Sequence, residues 1–150
     1  MSPQDDSSPR TPMKPYVLLA GEGVAGFDAS VKASRSSTGG NLTVIESRTK
    51  GGAPWHVHSR EDEYFYVIEG KIIVDCGDEI NSAGSGSFVF LPRGIPHAWD
   101  VGAEGVATLL MMTVPAMLEE FLKEFHSVPT REDRDAVAAR YGIQFFWERS

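Results

Sequence analysis

The chain has 150 residues, of which 41% are hydrophobic and 10% aromatic, and this predicts a single domain that can bury a sizeable core. Its formal net charge of −7 argues against nucleic acid and against an anionic membrane surface as partners. The single cysteine, Cys76, cannot form an internal disulfide, and the N-terminus has no apolar secretory run or membrane span. We therefore expect a cytoplasmic protein.

Residues 1–15 are rich in proline, serine and charge, and this composition predicts a disordered tail outside the fold. Over residues 16–114, short apolar segments alternate with turn residues, and Gly77 can begin a two-residue hairpin turn. The segments in order are YVLLA, GEGVAGFDA, NLTVIES, EYFYVIEG, KIIVDCGDEI, GSFVFLP and VATLLMMTV. Their spacing predicts a mainly β domain, an antiparallel sandwich or barrel.

The pattern becomes helical after Val114. Pro115 suits a first helical turn, Thr130 can cap a second helix, and Gly142 can end it. The first helix carries an apolar stripe of Met117, Leu118, Phe121, Leu122 and Phe125. Residues 115–150 are thus predicted to form a C-terminal helical extension that packs on the barrel, with the final IQFFW docking back. Because the stripe exceeds what one barrel wall covers, we expect a homodimer, or a monomer if the helices fold back fully.

The segment HVHSREDEYFYVIEG, residues 56–70, contains two histidines one residue apart. In a β-strand, His56 and His58 project to the same face, where a divalent metal could use both imidazoles. The alternative is a solvated strand end at which both histidines lie beside acidic partners. The histidine pair alone does not decide between these interpretations.

A second segment, GSFVFLPRGIPHAWD at residues 86–100, adds the information that decides between them. Together the two segments resemble the paired motifs of the cupin superfamily over residues 40–113. The matching positions are His56, His58, Glu63 and Gly70 in the first motif, and Gly86, Pro92, Gly94 and His97 in the second. Two positions depart from the pattern, since Lys50 stands where the family has its leading glycine and Val101 where it has asparagine.

This resemblance implies a jelly-roll β-barrel with a metal site. The implied ligands of one divalent transition metal (Fe, Mn, Ni, Co, Cu or Zn) are His56, His58, Glu63 and His97. Strand alternation also places Glu63, Phe65 and Val67 on one face, and Ile95, His97 and Trp99 on one face of another segment. We therefore predict that Phe65 and Trp99 line the metal cavity and bind an aromatic or largely apolar small molecule.

Small single-domain cupins with a helical extension are similar to the bacterial quercetin dioxygenase-like proteins. This resemblance implies a metal-dependent dioxygenase, an oxidoreductase acting on a hydroxylated aromatic or enolic substrate, with Glu63 as both metal ligand and catalytic base. One alternative is a metal-dependent isomerase, cyclase or dehydratase of a natural-product pathway that uses no dioxygen. Another is a non-enzymatic small-molecule-binding cupin.

Four other reactive or charged side chains are expected to have structural roles. We expect His126 at a solvated helix end and Cys76 as an inert thiol. Arg60 and Arg93 are expected to be solvated or ion-paired, although both lie close in sequence to the implied ligands.

Overall fold

A computed structural model describes residues 13–26, 29–102 and 105–149, so most of the predicted disordered tail lies outside the described residues. The strands and helices within these ranges are, in chain order, β1 (Val24–Gly26), β2 (Ala29–Ala33), β3 (Thr43–Thr49), β4 (Ala53–His58), β5 (Asp62–Glu69), β6 (Lys71–Cys76), β7 (Glu79–Gly84), β8 (Phe88–Leu91), β9 (His97–Val101), β10 (Ala107–Val114), α1 (Leu118–Phe125), α2 (Arg131–Arg140) and β11 (Ile143–Phe145). Neither of these helices is long and apolar enough to cross a membrane.

Two antiparallel sheets face each other as a jelly-roll sandwich. One sheet has the strand order β1-β2-β3-β10-β5-β8, and the other has the order β11-β4-β9-β6-β7. Over the described residues the sheets keep separate edges instead of closing into one continuous barrel. The predicted class, a mainly β jelly roll followed by a C-terminal helical extension, is confirmed.

Alternating side chains from both sheets meet between them and form the main core. On β5, Phe65 and Val67 are almost fully buried, whereas Tyr66 on the other face is 42% exposed. The cluster consists of Phe65, Val67, Ile72, Val74, Ala83, Leu91, Ala107 and Leu109. Glu63 continues the buried row of β5, so its carboxylate points into the space between the sheets.

The helical extension packs on the sandwich through a second core. Its buried members are Ile45, Met117, Leu118, Phe121, Val137, Ala138 and Ile143. The buried hydroxyl of Thr43 supports the start of α1, because it accepts a hydrogen bond from the Met117 amide at 3.0 Å. Three residues of the apolar stripe of α1 are therefore buried within the chain, and Leu122 and Phe125 are partly buried, so the stripe offers a homodimer less apolar surface than the sequence predicted.

A cap at the start of helix α2 and a glycine turn after its end position strand β11 beside β4. The Thr130 hydroxyl accepts a hydrogen bond from the Asp133 amide at 3.0 Å, which is the predicted cap. Gly142 has a φ of 72°, and a Cβ there would lie 2.6 Å from the Ser59 hydroxyl oxygen. Its carbonyl accepts hydrogen bonds from the Ser59 amide and hydroxyl at 2.9 and 2.7 Å. This junction directs β11 into antiparallel pairing with β4.

Two strand predictions near the N-terminus are wrong. Residues 16–20 are not a strand: Val17 and Leu19 are 82% and 67% exposed, and the Tyr16 hydroxyl donates to the Lys32 carbonyl at 2.8 Å. The segment GEGVAGFDA is not one strand but supplies both β1 and the start of β2, which pair with each other. The hairpin predicted at Gly77 is present between β6 and β7, with a φ of 64° at that glycine.

Candidate metal centre

Three imidazoles from two neighbouring strands converge inside the sandwich. His56 and His58 share one face of β4, and the strand register places His56 opposite His97 of β9. Their ring centroids are 4.4 Å apart for His56 and His97, 5.0 Å for His56 and His58, and 5.7 Å for His58 and His97. All three side chains are at most 5% exposed, so the cluster is shielded from bulk solvent.

The facing sheet supplies a carboxylate to the same point. Glu63 of β5 is 4% exposed, with Oε1 at 3.3 Å from His97 Nε2 and Oε2 at 3.8 Å from His58 Nε2. One ligand atom from each of the four residues lies within 4.8 Å of the others. The structure therefore brings together all four residues that the motif spacing selected.

Several polar atoms at this point approach one another without forming a hydrogen bond. Among the described residues, the buried atoms His58 Nε2, Glu63 Oε1 and His97 Nε2 make no hydrogen bond. Buried polar atoms are normally paired, because leaving one unpaired costs about 1–3 kcal/mol. Three nitrogen donors and one carboxylate suit a first-row divalent ion, which would satisfy these atoms together. The residues thus fit a single divalent metal.

The other ring nitrogen of each histidine is held by a neighbour. Nδ1 of His56 donates to the Pro54 carbonyl at 2.6 Å, and Nδ1 of His97 donates to the Ile95 carbonyl at 3.3 Å. Nδ1 of His58 instead meets the buried carboxylate of Glu61 at 3.3 Å. Because these oxygens only accept, they keep the proton on Nδ1 and leave Nε2 free to bind a metal.

Glu61 is a residue that the sequence interpretation missed. Motif spacing selected Glu63 as the ligand and left Glu61 without a role, yet Glu61 is 3% exposed and its carboxylate lies 3.3 Å from Nδ1 of His58. Its position three residues after His58 was the available signal. An acidic residue there can reach back across the Ser59–Arg60 turn.

Burial and charge determine the protonation of the cluster. Burial, with the charge of His97, lowers the pKa of His56 to about 4. Burial alone would raise the pKa of Glu63, but the close approach of His97 and the charges of the other imidazoles hold it at about 2. Burial opposes the charged form of His58 as well, but the carboxylates of Glu61 and Glu63 together outweigh it and raise the pKa of His58. At neutral pH the centre therefore contains an ionised carboxylate and a neutral His56, both competent ligands.

A cavity of about 710 Å³ opens from the cluster. Phe65 and Trp99 both lie on its wall, with their rings 5.2 Å apart in an edge-to-face arrangement. The helical extension adds Leu118, Phe121, Leu122, Phe125, His126, Arg134, Phe145 and Trp147. An apolar cavity with a few converging polar groups is typical of a small-molecule site.

Several expected positions differ in detail. Ile95 does not share the buried face of His97: it precedes β9 and is 43% exposed. His126 is exposed at the end of α1, as expected, although part of its ring also borders the cavity. The leading glycine of the cupin motif was expected at position 50, where this chain has Lys50. The glycine that packs closely against β9 is Gly52, because a Cβ at position 52 would overlap the Trp99 carbonyl.

The remaining reactive or charged residues have structural contacts. Arg93 forms an ion pair with Asp62 at 3.1 Å, and Arg60 donates to the Arg140 carbonyl at 2.9 Å. Cys76 packs against the main core, and burial together with Asp75 raises the pKa of its thiol. These contacts agree with the structural roles expected from the sequence.

The fold and the buried cluster define a small jelly-roll domain with a candidate metal centre. A family profile described as "Cupin domain" matches residues 44–113, which include all four converging residues. Residues 44–113 thus form a cupin domain. Among curated proteins, no sequence matches this chain.

Several solved structures are similar to this chain at low sequence identity. KdgF from Halomonas sp. is 19% identical, with a TM-score of 0.53 over 61% of this chain and 82% of its own. TT1209 from Thermus thermophilus is 28% identical, with a TM-score of 0.47 over 51% of this chain and 74% of its own. A cupin-2 domain containing protein from Shewanella frigidimarina is 21% identical, with a TM-score of 0.48 over 61% of this chain and 83% of its own.

Proposed function

We propose that the chain is a metal-dependent cupin dioxygenase that acts on a hydroxylated aromatic or enolic small molecule. The observation that carries this proposal is a buried set of three histidines and one carboxylate at a largely apolar cavity. In this proposal His56, His58, Glu63 and His97 hold one divalent ion, which is Fe, Mn, Ni, Co, Cu or Zn. Four protein ligands leave open coordination positions, and the bound ion supplies Lewis acidity at the substrate oxygen.

Glu63 has a second role in this proposal, as the base that accepts the substrate hydroxyl proton. Its carboxylate is ionised at neutral pH and lies at the cavity wall, so a hydroxyl entering the cavity can come within hydrogen-bond reach of it. Phe65 and Trp99 hold the aromatic or enolic part of the substrate. Both atoms of dioxygen enter the products and the substrate supplies the electrons, so the reaction needs no external reductant.

Glu63→Gln tests this proposal, because glutamine keeps the length and one coordinating oxygen but loses the charge and most of the basicity. Metal content and oxygen uptake should be measured on the same preparation, after an oxygen-electrode screen of phenols, flavonols and β-diketones. We expect the variant to retain a substantial part of its metal and to lose about a hundredfold to ten-thousandfold in turnover. Asp62→Asn is the matched control, since the neighbouring carboxylate pairs with Arg93 outside the cavity.

The outcomes separate the candidate functions. A Glu63→Gln protein that is metal-replete and nearly fully active would refute the base role. Product formed without oxygen uptake would point to the isomerase, cyclase or dehydratase alternative, in which the metal acts only as a Lewis acid. Ligand binding with no product from the metal-loaded protein would point to a non-enzymatic binding cupin.

The cytoplasm remains the proposed compartment. The single cysteine of the chain is a free thiol that is partly buried and packed against the core. A single cysteine cannot form the internal disulfides that stabilise proteins in oxidising compartments.

A further inference from the structure

The helical wall of the cavity carries a cation that the proposed reaction does not use. Arg134 of α2 lines the cavity together with His126 at the end of α1. The other lining residues of the helical extension are apolar: Leu118, Phe121, Leu122, Phe125, Phe145 and Trp147. Arg134 is partly buried, so its guanidinium reaches a largely apolar cavity in which an anionic partner would stabilise the charge.

The contacts of Arg134 leave most of its hydrogen-bonding capacity unused. Its Nε donates to the Val128 carbonyl at 3.3 Å, and its guanidinium carbon lies 5.3 Å from the centre of the Phe125 ring. In the described part of the chain, no carboxylate forms an ion pair with it. Arg93 and Arg140, by contrast, pair with Asp62 and Glu124 at 3.1 and 2.7 Å.

The charges around the cavity favour an anion inside it. Glu63 is the one acidic side chain among the described residues that line the cavity. Once that carboxylate is engaged with a divalent ion, the cavity is positively charged although the whole chain has a net charge of −7. His126 does not compete for the anion, because burial and the charge of Arg134 lower its pKa and keep it neutral at neutral pH.

We propose that Arg134 is the anion-binding residue of this pocket and that the substrate carries a carboxylate in addition to its hydroxylated aromatic or enolic part. A guanidinium presents paired N–H donors that match the two oxygens of a carboxylate. The apolar wall between the metal centre and the helical extension accommodates the body of such an acid. This inference rests on the proposed function only for the hydroxylated aromatic or enolic part of the substrate, which faces the metal. The carboxylate is inferred from Arg134 and its surroundings.

Matched acids and esters test the inference directly. The probes are 3,4-dihydroxybenzoate and caffeate, each paired with its methyl ester, which has the same hydroxyls and no charge. Each is titrated calorimetrically, without dioxygen, into the protein with the metal that it carries on purification. We expect at least one acid to bind about tenfold or more tightly than its ester, the size of a charge-assisted hydrogen bond.

The variant Arg134→Gln should reduce this preference to within about twofold and leave the ester affinity unchanged. Arg140→Gln is the matched control, since it removes the same charge from the same helix at a surface ion pair outside the cavity. Arg134→Lys keeps the charge but loses the paired donors, so we expect a preference for the acid between those of the wild type and Arg134→Gln. The lysine variant replaces the glutamine variant in this test if Arg134→Gln does not fold.

Equal affinities within both pairs, no binding of either acid, or a preference that survives Arg134→Gln would overturn the inference. The titration needs no turnover, so its failure is distinct from failure of the dioxygenase proposal. An acid preference that disappears in Arg134→Gln, with no oxygen uptake by the wild type, would support the anion site and reject the dioxygenase reaction.

Discussion

Replacing Glu61 by glutamine tests how the candidate metal centre is supported. The Glu61 carboxylate is buried, with its oxygen 3.3 Å from Nδ1 of His58, and so holds the tautomer that turns Nε2 towards the centre. Glutamine preserves the size of the side chain, but its amide can present either an acceptor or a donor to the ring. The orientation of His58 is then specified less strongly, while all four candidate ligands remain.

The expected loss of metal affinity follows from the length of this contact. Removing a partner that orients a ligating histidine typically costs about tenfold to hundredfold in metal affinity. Strong charge-assisted hydrogen bonds are about 2.7–2.9 Å long, so the contact at 3.3 Å is a weak member of its class. We therefore expect a loss near the lower end, about tenfold, or about 1.4 kcal/mol.

The assay is competition for zinc between the metal-free protein and a chromophoric chelator at pH 7.5. Asp62→Asn provides the control, because it neutralises the adjacent carboxylate on the outer face of β5, where it pairs with Arg93. Thermal unfolding of the metal-free proteins reports any general loss of stability. Wild-type affinity in Glu61→Gln, or an equal loss in Asp62→Asn, would refute the supporting role of Glu61.

Three further predictions concern a ligand, the helical extension and assembly. His97→Ala should lose most of its metal by elemental analysis while keeping its circular dichroism spectrum, and full occupancy would contradict the ligand assignment. Burial and a hydrogen bond to Glu124 at 2.7 Å raise the pKa of Tyr141 to about 12. The stability from this contact is therefore present below pH 10 and is lost as the pH rises from 10 towards 12. In urea unfolding, Tyr141→Phe should lose less free energy of unfolding over that pH interval than the wild type. Light scattering should give a homodimer of twice 16.4 kDa. We expect the two copies to pair through the exposed aromatic side chains of Tyr66 on β5 and of Phe88 and Phe90 on the edge strand β8, so Phe88→Ser should give monomers. A wild-type monomer across micromolar concentrations would reject this assembly.

The sequence was sufficient where the information is local or periodic. Residue parity placed His56 and His58 on one face and Glu63 in line with Phe65, and the structure has both arrangements. Turn chemistry likewise located the hairpin at Gly77 and the cap at Thr130, because one residue specifies each.

Contacts between distant parts of the chain could not be read from the same signals. Arg134 reaches the cavity only because α2 folds back on the sandwich, and no spacing rule in the sequence encodes that. The segment from Tyr16 to Ala20 is apolar enough for a strand, but within the described residues no neighbouring strand pairs with it. Strand formation needs that neighbour, so local composition alone gave the wrong answer.

The junction at Gly142 has a consequence for synthesis of the protein. The strand that carries His56 and His58 gains its outer neighbour, β11, through the contact between Ser59 and Gly142, which are 83 residues apart. A ribosome therefore produces both histidines long before the segment that covers their strand. Until that segment emerges, β4 lacks its outer neighbour and the cavity lacks the part of its wall that Phe145 and Trp147 supply.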